Sequence, residues 1–319
     1  MLKIVVLDGF TLNPGDLSWE SLSVLGECTF YDRTKPEETF ERSVGADILI
    51  TNKVVLNDNI ISRLTQLKYI GVTATGYNVV DVQAAAERKI VVTNIPAYST
   101  DSVAQLVFSH ILNVANRVEI HAQSVRNGDW AASPDFSYSR TPQTEIAGKT
   151  LGIVGYGRIG QKVAEIGRAF GMRIIFQNRS VKQNLPSGIM QKSLAEVFEE
   201  SDFISLNCPL TAENTEFVNQ SLICKMKSTA VLINTGRGGL ICEKDLAEAL
   251  NSGQIAAACL DVLSTEPPAS SNPLITTKNC FITPHFAWAT FEARQRLLSV
   301  TVDNLKCFIA GRPQNVIKL

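Results

Sequence analysis

The chain alternates short apolar, β-branched runs with longer stretches in which polar residues break the pattern every third or fourth position. LKIVVLDG, CTFYD, ADILITN, LKYIGVTATG and KIVVTNIP fill the first part of the sequence, and this rhythm predicts a parallel sheet flanked by helices. Most of these runs end in small or polar residues (Gly9, Asn52, Thr73 to Gly76, Asn94), where loops at the carboxyl ends of strands face a ligand. Over residues 100–125, Val103, Leu106, Val107, Ile111, Val114, Ala115 and Val118 recur at helical spacing behind Ser99 or Thr100, which predicts one long connector helix. NGDWAASPDFSYSRTPQTEIAGK, rich in Gly, Pro and Ser, reads as a surface loop. From Thr150 a second βα series begins with TLGIVGYG, MRIIFQN, DFISLNCP, AVLINTGRG, AAACLDVL and NCFITPH, the strand count of a doubly wound dinucleotide fold. A helix over Ala289 to Ala310 follows. The expectation is two α/β domains, residues 1–98 with 290–319 and, inserted between them, residues 99–289.

Composition narrows the function classes. With 319 residues, 45% hydrophobic and 19% charged, the chain can bury two cores. Thirty basic residues against 31 acidic ones give a net charge of -1, so no general attraction to nucleic acid or to an anionic membrane is expected. A small-molecule ligand fits better. Seven scattered cysteines without C-x-x-C spacing read as reduced thiols, with no metal site. MLKIVVLDGF lacks a basic start followed by a long apolar run, and no stretch reaches the ~18 apolar residues of a membrane span, so a cytoplasmic setting is expected.

Gly155-Tyr156-Gly157-Arg158-Ile159-Gly160 follows the apolar strand LGIV and opens the helix RIGQKVAEIGRAF, the context in which G-x-G-x-x-G signals dinucleotide binding. The first glycine permits the tight turn, the second lets backbone approach pyrophosphate, and the third lets helix pack on strand. About twenty residues on, where an acidic residue would hold the adenosine ribose, the chain reads Gln177, Asn178, Arg179, Ser180. Asn178 can bond a ribose hydroxyl and Arg179 can pair with a 2′-phosphate, so NAD and NADP both stay open.

Three more strand ends each deliver a residue that hydride transfer to a 2-keto acid requires. Arg237, in the glycine-flanked INTGRGG turn, suits a carboxylate and a carbonyl. Glu266 stands before two prolines, and His285 ends the last strand in TPH. The reaction needs a proton at the carbonyl oxygen, histidine titrates near neutrality, and a neighbouring carboxylate fixes its tautomer. His110 and His121, both in the connector helix, read as structural.

The sequence ATGYNVVD (74–81), GYGRIG (155–160), CPLTAENTEFVN (208–219), INTGRGG (233–239), LDVLSTEPP (260–268) and TPHFAWAT (283–290) resembles the D-isomer-specific 2-hydroxyacid dehydrogenases along its whole length. The resemblance implies a flavodoxin-like substrate-binding domain with an inserted Rossmann dinucleotide-binding domain, and a homodimer. It implies that Arg237 binds substrate carboxylate and carbonyl, that Glu266 supports His285, and that His285 donates the proton. It further implies that backbone at Thr75 and Gly76 holds the carboxylate, and that Cys208, Pro209, Thr235 and Asp261 contact the cofactor. SPDFSY and HFAWAT are most similar to the glycerate dehydrogenase (hydroxypyruvate reductase) group, so hydroxypyruvate/D-glycerate or glyoxylate/glycolate is the expected substrate pair. Two alternatives stay open: a nicotinamide-sensing, corepressor-like protein, and a dehydrogenase for D-lactate, phosphoglycerate, formate or phosphite. The chain stops directly after its closing helix, which weighs against phosphoglycerate.

Overall fold

The structure, a computed structural model, describes residues 1–318. It contains two compact units, one built from Met1–Ser99 and the chain from Trp288 onward, the other from Thr100–Ala287.

In the first unit, strands β1 (Lys3–Val6), β2 (Glu27–Phe30), β3 (Ile48–Thr51), β4 (Tyr69–Val72) and β5 (Val91–Thr93) pair in parallel in the order β2-β1-β3-β4-β5. That is the flavodoxin-like order. Because side chains alternate across a strand, Ile4, Val6, Ile48 and Ile50 enter the core on one face while Val5, Leu49, Ile70 and Val72 enter the other. The closing helix, Phe291–Ile309, lays Leu297, Leu298, Val302 and Leu305 into the first of these cores. Arg294 at its start reaches Asp16 with both Nη1 (2.7 Å) and Nη2 (2.6 Å).

The second unit holds a seven-stranded parallel sheet of β6 (Thr150–Val154), β7 (Arg173–Gln177), β8 (Ile189–Gln191), β9 (Phe203–Leu206), β10 (Val231–Asn234), β11 (Ala257–Leu260) and β12 (Cys280–Ile282). Its order, β12-β11-β10-β9-β6-β7-β8, is the doubly wound arrangement with one further strand at the β12 edge. Leu151, Ile153, Val231 and Ile233 fill one face, Val154, Leu206 and Leu232 the other. The order reverses between β6 and β9, and in doubly wound sheets ligands bind at such a point, beyond the carboxyl ends of the strands.

Two features depart from the sequence reading. The sheet has seven strands where the apolar runs predict six, because β8 is Ile-Met-Gln, only two apolar residues between Gly188 and the polar Gln191-Lys192, too few to register as an apolar run. The predicted single connector helix is two, α1 (Thr100–Asn116) and α2 (Val118–Arg126), parted by Arg117 in the left-handed region at φ 48°. The Arg117 guanidinium lies 4.4 Å from the centre of the Phe281 ring. Apolar periodicity is blind to a one-residue turn between two helices, and Val118, which fell in with the helical spacing, is exposed.

Candidate active site

The glycine cradle forms where β6 turns into helix α3 (Arg158–Ala169). Gly155 has φ 95°, and a Cβ there would lie 2.7 Å from the Cys208 backbone nitrogen, so only glycine lets the β6 and β9 ends run side by side. A Cβ at Gly160 would stand 2.2 Å from the Gly155 carbonyl oxygen, which fixes how closely α3 approaches the strand. Gly157 is different. A Cβ there would meet nothing within 4 Å, and as the N-cap it has no side chain to cover the first N–H groups of α3. Open space over uncapped helix N–H groups is the chemistry a pyrophosphate needs. Tyr156 is buried and stacks on Phe176 with ring centres 4.1 Å apart; Arg158 is exposed and Ile159 half-buried.

Further along the same ends, two buried polar atoms, Asn207 Oδ1 and Thr235 Oγ1, have no hydrogen-bond partner among the described residues. Cys208 is half-buried and Pro209 exposed beside them in sequence. A polar ligand at the β9 and β10 ends would relieve the cost of leaving those atoms unpaired. The residues present therefore fit a dinucleotide: the uncapped N–H groups at Gly157 would take its phosphates, and Asn207 and Thr235 would pair with its polar groups.

The Arg237 turn is built by Asn234, a fully buried residue ending β10, whose Oδ1 accepts from Gly236 N at 3.0 Å and whose Nδ2 donates to Arg237 O at 2.9 Å. Arg237 itself is exposed, and its Nη1 donates to the Gly236 carbonyl at 2.8 Å. The next residue, Gly238, runs against the loop after β11: a Cβ there would sit 1.9 Å from the Leu263 carbonyl carbon. That close approach sets the Arg237 turn beside the loop carrying Glu266.

Glu266 and His285 meet. His285 Nδ1 donates to Glu266 Oε2 at 2.6 Å, while Oε1 accepts from Leu263 N at 3.1 Å. A carboxylate accepts only, so Nδ1 carries a proton and Nε2 is the ring nitrogen available to a reacting group. His285 stands at φ 51°, a strained conformation for a non-glycine residue and common at functional sites. Its loop hangs on Asp261, which is almost wholly buried at the end of β11. Oδ1 accepts from Thr283 Oγ1 (2.6 Å) and Phe286 N (3.0 Å), and Oδ2 from Ala287 N (2.9 Å).

Of the residues singled out in the sequence, the second unit thus brings together the cradle, Asn178, Arg237, Glu266 and His285 at strand ends of one sheet. Asn178 is tied into the cradle, its Oδ1 accepting from Tyr156 N at 3.2 Å; Arg179 is exposed. Thr75 and Gly76 belong to the first unit, past the end of β4, where Thr75 Oγ1 donates to Ile95 O at 2.8 Å. Asn234, Asn207 and Gln191 were not foreseen. Asn234 had a signal, an Asx residue before a glycine turn; Asn207 matters through a buried oxygen left without a partner and Gln191 through Asn178, Ser180 and Lys182 in the preceding loop, and neither leaves a local pattern.

A doubly wound sheet with a dinucleotide cradle and a carboxylate-held histidine at the strand ends defines a nicotinamide-dependent oxidoreductase. The family model described as D-isomer specific 2-hydroxyacid dehydrogenase, NAD binding domain, matches residues 108–287. The chain is 45% identical to a hydroxypyruvate reductase of Blautia hydrogenotrophica and 38% identical to a glycerate dehydrogenase of Methylorubrum extorquens, each alignment covering 99% of both proteins. Among solved structures it is similar to an acyclic imino acid reductase in complex with NADPH and D-Arg, at a TM-score of 0.85 and 33% identity, over 99% of this chain and 100% of that one. The chain belongs to the D-isomer-specific 2-hydroxyacid dehydrogenases.

Proposed function

We propose that this dehydrogenase reduces small 2-keto acids, hydroxypyruvate foremost and glyoxylate next, to the corresponding D-2-hydroxy acids, with Arg237, Glu266 and His285 as the reacting and binding side chains. The observation that carries this reading is the 2.6 Å pair of His285 Nδ1 and Glu266 Oε2. The bound reduced nicotinamide supplies the hydride. His285 holds a proton on Nε2 and gives it to the substrate carbonyl oxygen as negative charge develops there. Glu266 keeps the ring in one tautomer and steadies the imidazolium that exists before transfer. Arg237 binds the carboxylate and polarises the carbonyl with its planar fork. Gly155 to Gly160 would hold the cofactor's pyrophosphate, Asn178 and Arg179 its adenosine end, and Cys208, Pro209, Thr235 and Asp261 its nicotinamide end.

The preference for hydroxypyruvate rests on the relatives named hydroxypyruvate reductase and glycerate dehydrogenase. A homodimer is part of the proposal, supported by a run of exposed apolar side chains at Val118, Ile120, Val125, Trp130 and Phe136. So is a cytoplasmic setting, supported by seven free cysteines. No described helix is long and apolar enough to cross a membrane.

The test is the initial-rate loss of reduced-nicotinamide absorbance with hydroxypyruvate, glyoxylate, pyruvate and phosphohydroxypyruvate. Hydroxypyruvate is expected to show the highest kcat/KM. His285→Asn, which keeps a residue tolerant of the left-handed backbone, is expected to lower kcat by roughly 10²–10⁴-fold. Cofactor binding without turnover of any keto acid would instead favour a nicotinamide-sensing protein.

A further inference from the structure

The loop that carries Glu266 runs between two buried leucines, Leu263 and Leu274, and every residue from Ser264 to Ser271 is exposed. Burial of apolar side chains therefore does not hold it, and its place in the site is set by polar contacts.

Those contacts converge on one carboxylate. Glu243 opens the helix Glu243–Ser252 and is half-buried. Its Oε1 accepts from Ser264 N at 2.6 Å and its Oε2 from Asn272 Nδ2 at 2.7 Å, so one side chain grips both ends of the exposed loop. Asn272 is committed on its other side, where Oδ1 accepts from Leu274 N at 3.0 Å. Its own N–H donates to Ala269 O at 2.9 Å and closes the far end of the loop. With Oδ1 occupied as a cap, Asn272 turns its amino group to Glu243, which fixes the donor and acceptor sense of the pair.

Glu243 also follows the Arg237 turn in the chain. A Cβ at Gly238 would lie 2.4 Å from Ser264 N, the same amide that Glu243 holds. The Arg237 turn and the start of the Glu266 loop thus touch backbone to backbone at the point where the carboxylate fastens one to the other. A hydrogen bond to an ionised acceptor is stronger than one between neutral groups, which suits a fastening at the surface.

We propose that Glu243 is a positioning residue for the reaction, holding the Glu266 loop against the segment that carries Arg237, with Asn272 as its second anchor. The proposal rests on the reading of Arg237 as the substrate-binding side chain and Glu266 as the support of His285. Both oxygens of Glu243 are occupied by the loop, so it acts through those two residues and not on the substrate.

The experiment is a reciprocal exchange in the whole purified chain: Glu243→Gln, Asn272→Asp and the two together, with kcat and KM for the keto acid, Kd for the reduced nicotinamide by fluorescence, and Tm. Glu243→Gln sets an amino group against the Asn272 amino group, and Asn272→Asp sets two carboxylates against each other. Each single change is expected to lower kcat/KM by about tenfold, the size of one lost charge-assisted contact, with KM raised through Arg237, kcat lowered through Glu266 and the cofactor Kd unchanged. In the double variant the new amide donates to the new carboxylate, Ser264 N and Leu274 N keep acceptors, and the net charge is that of the wild type. Its kcat/KM is expected to return to within about threefold of the wild-type value. Single variants that lose Tm but keep the wild-type kcat and KM reduce Glu243 to a structural role and overturn the proposal. Losses that add in the double variant instead of reversing overturn it as well, and either result leaves the dehydrogenase reading standing. A wild-type chain that turns over no keto acid removes both.

Discussion

His110 shows how one side chain can serve the fold and tax it. It lies in α1, buried, with Nε2 unpartnered among the described residues. Burial holds its pKa below the ordinary 6.5, and the opposing influence of Asp261 is the smaller one. The unfolded chain therefore binds this proton more readily than the folded one. The stability this preference contributes is complete above the unfolded value and is lost as pH falls below it. Tm should drop between about pH 7 and pH 5, and more steeply in the wild type than in His110→Leu, which removes the titrating group and the unpaired nitrogen together. Parallel Tm–pH curves for the two proteins would show that His110 does not carry the acid sensitivity. At Arg237 the expected outcome is kinetic: Arg237→Lys keeps the charge but not the fork, so KM for the keto acid should rise and kcat fall, measured at saturating cofactor.

Three loops at the ends of β10, β11 and β12 make the site, and each is held by a residue outside the chemistry. Asn234 shapes the Arg237 turn, Gly238 lets that turn pass the Leu263 backbone, and Asp261 fixes the loop of His285. The sequence marks Gly238 as part of a motif without saying why. The reason is a contact with a residue 25 positions later, 1.9 Å from where a Cβ would be. Gly238→Ala should push the two loops apart, costing roughly 1–3 kcal/mol of stability and more than tenfold in kcat/KM, with KM for the keto acid rising as Arg237 moves. A variant with unchanged kinetics would mean the Arg237 turn tolerates displacement. Asp261 separates two roles. Asp261→Asn puts an amide where the loop's N–H groups need an acceptor, so kcat should fall with little change in cofactor KM. A rise in cofactor KM at constant kcat would assign Asp261 to cofactor contact alone.

At the scale of the molecule, the pattern of apolar runs was enough to foresee two α/β units and to pick out the strands that carry the cradle and the three reacting side chains. It missed β8, and with it Gln191, because Ile189 and Met190 alone, between Gly188 and polar residues, leave no run to read as a strand. It joined α1 to α2 because a single left-handed residue does not interrupt a 3.6-residue repeat. Exposed Val118, Ile120, Val125, Trp130 and Phe136 follow that break, and the proposed dimer is tested there. Light scattering should return twice the chain mass, and Trp130→Ser with Phe136→Ser should lower it toward one chain. A wild type that stays monomeric at high concentration rejects the dimer.

The sequence alone determined the parallel sheets, the order of the motifs along the chain, and the residue types at each strand end, since all of these follow from local spacing and side-chain chemistry. Tertiary structure decided how the hydrogen-bonding capacity of those residues is spent. Glu266 divides its oxygens between Leu263 N and His285, Asp261 gives both of its oxygens to the loop after β12, and Asn178 turns inward to the cradle. The physical reason is the same in each case. Hydrogen bonds are short and directional, and apart from Leu263 N, three residues from Glu266, the partners that complete them arrive from segments up to 26 residues away, only once the sheet has brought its carboxyl ends into line.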